Sequence, residues 1–131
     1  MGAVRYLLDT CTFLWLAQQP GMLSAKAIEF LNDVGSHLFV SDISIWEITL
    51  KHSAGKLPLP DVPKNWIPRK FVYHKLQSLP VTREAIFRSG ELPRTHADPF
   101  DRLLAAQAIE SGLTILSPDL PLSRLGAARV W

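Results

Sequence analysis

Arg5-Tyr6-Leu7-Leu8-Asp9-Thr10 is a short apolar run that ends in an acid and a hydroxyl. Such a run reads as a buried strand, and the Asp-Thr pair after it reads as the cap of a following helix. The same grammar recurs along the chain. His37-Leu38-Phe39-Val40 is a second strand, and Ser44-Ile45-Trp46-Glu47 reads as a capping box opening a helix that ends near Gly55. A third, weaker strand is expected over Leu76 to Val81, and a fourth over Leu113-Thr114-Ile115-Leu116, running into Ser117-Pro118-Asp119. Arg129-Val130-Trp131 suits a last edge strand.

Helical segments fill the gaps. One runs from Thr10 through Leu16 and stops before Pro20-Gly21, and another covers Ser24 to about Val34 with Ala27, Ile28 and Leu31 on one stripe. Leu57 to Pro63 holds three prolines and reads as a loop, with a short helix over Trp66 to Lys75 and another over Arg83 to Leu92. Asp98-Pro99 supplies an N-cap and a first-turn proline for a long helix that stops at Gly112. Alternating strands and helices predict an α/β fold, a three-layer α/β/α sandwich around a parallel sheet of four to five strands. Right-handed crossovers then bring the carboxyl ends of the strands and the N-termini of the next helices to one edge, where open α/β sheets bind ligands.

Composition narrows the function. The chain has 131 residues, 47% hydrophobic and 20% charged, which fits one globular domain over residues 1–131 and excludes a disordered chain. A single cysteine, Cys11, allows no internal disulfide, and with no signal peptide a reducing cytoplasm is the expected location. The longest apolar runs are interrupted by Asp9 or by Asp42 and Glu47, so no membrane span is expected.

The net charge of +2 is a cancellation. Residues 51–75 carry Lys51, Lys56, Lys64, Arg69, Lys70 and Lys75 against Asp61, a local +5, and the remainder carries −3. Trp66, Phe71 and Tyr73 lie among these cations, a mixture suited to neutralising phosphates and stacking bases. The alternative is a solvated loop and helix whose aromatics belong to the core.

The acids carry the chemistry. Asp9 ends the first strand, Glu47 falls in the first turn of the helix after the second, Asp98 and Asp101 open the helix before the fourth, and Asp119 follows the fourth. All five fall on one predicted edge. Converging carboxylates repel, and a hard divalent cation such as Mg²⁺ relieves that repulsion through oxygen ligands. Such a site can activate water against a phosphodiester. Each acid also has a capping reading. Asp9 and Asp119 tip the balance, because both end strands expected to be central, where an unpaired carboxylate is costly. Thr10 and Ser117 could support the carboxylates or metal-bound water, or merely cap; Cys11 is read as a small packing residue. Other chemistries lack their motifs. No phosphate-binding glycine loop or serine elbow is present, and His37, His52, His74 and His96 show no metal-ligand spacing with Cys11.

Leu7-Leu8-Asp9-Thr10, Ser44-Ile45-Trp46-Glu47-Ile48, the run from His96-Ala97-Asp98-Pro99-Phe100-Asp101-Arg102 to Ala108, and Leu116-Ser117-Pro118-Asp119 together resemble the PIN-domain ribonucleases, in the right order and spacing over nearly the whole chain. Within them the chain looks like the toxin component of VapBC toxin–antitoxin systems, and Lys51 to Leu57 resembles a basic stretch of one branch. Ser117-Pro118-Asp119 departs from the proline-free, threonine-containing form of many relatives.

The resemblance implies a Mg²⁺- or Mn²⁺-dependent endoribonuclease that forms a homodimer and is inhibited by a cognate antitoxin. By position, Asp9, Glu47, Asp101 and Asp119 match the acidic quartet, and Asp98 matches a further acid of this branch. Lys51, Lys56 and Arg102 are the candidates to contact RNA. The rival reading is an RNA-binding module of the same fold without catalysis.

Overall fold

The computed structural model describes residues 4–95 and 98–131; His96 and Ala97 of the motif lie outside the described residues. The chain runs β1 (Val4–Leu8), α1 (Thr10–Gln18), a 3₁₀ turn (Pro20–Met22), α2 (Ala25–Asn32), β2 (Ser36–Ser41), α3 (Asp42–Ser53), α4 (Pro63–His74), β3 (Gln77–Leu79), α5 (Arg83–Glu91), α6 (Pro99–Ser111), β4 (Thr114–Leu116), α7 (Pro121–Arg124) and β5 (Arg129–Val130). The five strands form a parallel sheet in the order β3-β2-β1-β4-β5. This is the expected α/β sandwich, with the short Arg129–Val130 strand at one edge.

The strand period of two explains the layering. Tyr6 and Leu8 face one core with Leu38, Val40 and Leu116, where they meet Phe13, Ala27, Ile48 and Trp66 from the helices. Leu7 and Ile115 face the other, against Ala85, Leu104, Ala105, Ala108 and Leu122. Two cores separated by one sheet make three layers. Leu7 and Leu8 are fully buried, so truncating either to alanine should cost about 2–5 kcal/mol.

The order of strands places a switch at β1 and β4. From β1 the chain winds outward through β2 to β3; it then returns through α5 and α6 to lay β4 on the other side of β1. Crevices open at such points, beyond the carboxyl ends of the strands. Asp9 and the loop carrying Asp119 leave from those two ends.

Two helix starts differ from the sequence expectation. The cap of α3 is Ser41, whose hydroxyl accepts from Ile43 N at 3.0 Å; Ser44 lies inside the helix and is buried. Ser41 both ends β2 and caps α3, so the helix begins a turn earlier than the Ser44 box implies. Glu47 is thereby moved from the first turn to the second. Likewise Pro63, expected to close a loop, is the first residue of α4, a position that suits a residue without an N–H. The long helix begins and ends as expected, capped by Asp98 and closed by Gly112 in the left-handed conformation at φ 64°.

Among the described residues no helix is long and apolar enough to cross a membrane.

Candidate active site

Asp9, Glu47, Asp98, Asp101 and Asp119 line one open cleft of about 280 Å³, together with Thr10, Cys11, Leu14 and Lys51. Five carboxylates from four stretches of chain are brought to the switch-point edge, with Lys51 as the single cation of the lining among the described residues. Asp9 is the most enclosed of them, 7% exposed, while Asp98 is exposed and Glu47, Asp101 and Asp119 are half-buried. The expectation of burial at the strand ends thus holds for Asp9 and only partly for Asp119.

Capping and convergence coexist. Asp9 caps α1 by accepting from Thr12 N at 2.9 Å, and Asp98 caps α6 by accepting from Phe100 N at 2.9 Å and Asp101 N at 3.3 Å. A carboxylate has about four lone-pair sites, so a cap leaves capacity over. Asp9 takes more donors: Ser117 Oγ at 2.5 Å and the Cys11 thiol at 3.3 Å. Ser117 Oγ also accepts from Asp119 N at 3.0 Å, so one buried hydroxyl ties the two strand-end acids together. Arg129 Nη1 donates to Ser117 O at 2.8 Å and holds the same loop from β5. Burial, and then the charge of Asp9, push the Cys11 thiol well above its ordinary value. Cys11 is therefore a protonated donor to Asp9 at neutral pH, partly exposed in the cleft rather than a buried packing residue.

Three further polar struts hold the acid-bearing elements in register. Thr12 Oγ1 donates to Leu116 O at 2.9 Å and joins α1 to β4. Thr10 Oγ1 donates to Ser44 Oγ at 2.9 Å and joins α1 to α3. Ser41 Oγ donates to Gln107 Oε1 at 2.5 Å, while Gln107 Nε2 donates to Pro80 O at 3.2 Å, so the inner face of α6 is pinned to the β2–α3 corner. Satisfied buried polar groups of this kind specify position, since leaving one unpaired is expensive. Sequence reading missed Thr12, Ser41 and Gln107. The only signal for Gln107 is an amide among the alanines of an apolar helix face.

The basic candidates separate. Lys51 lines the cleft and pairs with Glu47 at 2.9 Å. Lys56 is exposed beyond the end of α3. The Arg102 guanidinium donates to Pro93 O at 2.8 Å, Ser89 O at 2.8 Å and Leu92 O at 3.0 Å, closing the carboxyl end of α5. Of the interleaved aromatics, Trp66 is 3% exposed, and Phe71 packs edge-on to Phe13 beside it. Both belong to the core, as the solvated-helix alternative holds. Tyr73 is 77% exposed, with Lys70 Nζ over its ring at 5.7 Å.

The donor set suits a hard divalent cation: carboxylate oxygens in excess, among them groups already oriented by hydrogen bonds. Among the described residues, no three His, Cys, Asp or Glu side chains stand close enough together to hold a metal ion as they are, so ligation requires the side chains to draw in.

A parallel sheet wound in this order, with carboxylates gathered at its switch point, defines an α/β protein with an acidic ligand crevice at the carboxyl ends of its strands. The sequence matches the PIN domain over residues 6–128, and the chain belongs to that family, whose members are generally nucleases. A search of curated proteins by sequence finds no significant match. Solved structures share the fold. The chain is similar to VapBC2 from Rickettsia felis bound to a promoter DNA fragment, at TM-score 0.72 and 18% identity, covering 97% of this chain and 98% of that one. It is also similar to VapBC-1 from nontypeable Haemophilus influenzae, at TM-score 0.67 and 15% identity over 97% of each chain. FitAcB from Neisseria gonorrhoeae gives TM-score 0.61 and 17% identity over 96% of each.

Proposed function

We propose that this protein is a divalent-metal-dependent endoribonuclease acting as the toxin of a type II toxin–antitoxin system. The observation that carries the reading is the convergence of Asp9, Glu47, Asp98, Asp101 and Asp119 on one cleft at the switch point of a PIN fold. Asp9, Glu47 and Asp101 would hold Mg²⁺ or Mn²⁺, with Asp119 completing the site and Asp98 at its rim. The metal supplies activation of water and stabilisation of the charge that develops on the phosphodiester.

The chain's own residues supply the rest. Ser117 and Cys11 orient Asp9 through the hydrogen bonds they donate, so its free lone pairs stay aimed into the cleft. The Thr10–Ser44 and Ser41–Gln107 bonds keep α3 and α6 at the spacing that lets Glu47 and Asp101 reach the same volume. Lys51 supplies the cleft's positive charge, and exposed Lys56 extends it outward. The similarity in fold to proteins of VapBC and FitAcB supports a separate antitoxin chain as partner. A cytoplasmic homodimer acting on RNA goes with this reading.

The test is cleavage of RNA by the pure protein with Mg²⁺, with EDTA, and after Asp9→Asn. Cleavage with Mg²⁺ and none in the other two arms is expected. Activity that survives chelation or Asp9→Asn would overturn the metal site. Induced expression without a partner should arrest growth, and sustained growth would remove the toxin role.

A further inference from the structure

Glu47 and Lys51 stand one helical turn apart on α3, and Lys51 Nζ lies 2.9 Å from Glu47 Oε2. The two partners differ in enclosure: the Glu47 side chain is 15% exposed and that of Lys51 is 53% exposed. Glu47 is fixed in the wall, whereas the ammonium reaches in from solvent on a flexible four-carbon stem. Among the described residues Lys51 is also the single cation lining a cleft with five carboxylates. An ammonium and a divalent cation seek the same oxygens, and both cannot sit at 2–3 Å from one carboxylate without repelling each other. A pair at this spacing whose lysine is more than half exposed is weakly held, so the metal wins the exchange.

The displaced charge has a destination. An RNA phosphate entering this cleft meets four carboxylates besides Glu47, and among the described lining residues Lys51 alone offsets them with a positive charge. Arg102 is engaged at the end of α5, and Arg69 is paired with Asp61. We propose that Lys51 competes with the divalent metal for Glu47 and, once displaced, carries its charge to the RNA phosphate in the cleft. Lys51 thus couples the two binding events: the metal releases the cation that the substrate needs. The inference rests on the nuclease reading above and adds to it an exchange between two partners of one lysine. The opposing possibility is that Lys51 is a fixed brace that keeps Glu47 oriented for the metal, and the two make opposite predictions.

Binding of Mn²⁺ alone, followed by electron paramagnetic resonance of the free ion, separates them in the full chain. Lys51→Met should bind Mn²⁺ about two- to five-fold more tightly than the unsubstituted protein, because the competitor is gone. At saturating Mn²⁺ the same variant should cleave RNA about ten-fold or more slowly. Lys51→Arg should return both properties toward their starting values. Unchanged or weaker Mn²⁺ binding by Lys51→Met overturns the competition, and undiminished cleavage at saturating metal overturns the role at phosphate. Asp9→Asn is the separating control. If it binds Mn²⁺ as well as the unsubstituted protein, the carboxylate cleft is not the metal site; the nuclease reading then fails, and this inference with it.

Discussion

The acids and the cations of this chain make opposite journeys. Five carboxylates scattered between Asp9 and Asp119 meet in one cleft. Six cations contiguous between Lys51 and Lys75 are dispersed: Lys51 enters the cleft, Arg69 pairs with Asp61, and Lys70 lies over exposed Tyr73. The reason is geometric. Acids placed after parallel strands, or in the first two turns of the helices near them, share one edge whatever their separation in sequence. Cations placed along a helix are fanned around it by the 3.6-residue period, and only some face any one site. Closeness in sequence is thus a poor guide to a shared site in an α/β fold, and position relative to a strand end is a good one.

That contrast can be broken most decisively at the acids. Asp101→Asn removes a charge from the cleft and keeps the side-chain shape; cleavage rates should fall about 100-fold or more. A small loss of rate would mean that convergence in the cleft is incidental to helix capping. Next in size is a test of what holds the acids together. Ser41→Ala removes the α3 cap and leaves buried Gln107 Oε1 without its donor. Urea unfolding should show about 2–3 kcal/mol lost, and an unchanged midpoint would mean that this strut does not hold α3 and α6 together.

The cations give the smaller effects. Arg102→Met should cost about 1–2 kcal/mol in stability, because three carbonyls at the end of α5 lose their donor, while the salt dependence of RNA binding stays the same. A shallower salt slope would instead return Arg102 to the RNA surface. Smallest of all, the double substitution Lys64→Gln, Lys70→Gln on α4 should change RNA affinity less than about two-fold. If the slope of log K against log salt fell by about 0.7 for each lysine, the whole basic segment would be an RNA track, and the contrast with the acids would disappear.

Much of the frame is legible in the sequence alone. The short apolar run Arg5-Tyr6-Leu7-Leu8, the Asp98-Pro99 start and the Gly112 stop are local signals, and the structure bears each out because backbone propensity and capping act within a few residues. The misreadings were local competitions. Ser41 and Ser44 both suit a cap, and the choice went to the residue that also ends β2. Pro63 suits a loop or a first helical turn equally.

By itself, then, the sequence determined the order of the five strands and the six longer helices, though not the short α7, and it placed four of the five candidate acids at a strand end or a helix start; Glu47 lies a turn deeper in α3. Those properties follow from the chain's own covalent neighbours. Only the tertiary structure decided which groups touch: Ser117 bridging Asp9 and Asp119, Gln107 pinning α6 to Ser41, Trp66 and Phe71 turned to the core, and Arg102 drawn to the end of α5. These contacts depend on strand order and helix rotation about the sheet. Both are set by burial of two apolar layers at once, a balance over the whole fold that no single stretch of sequence contains.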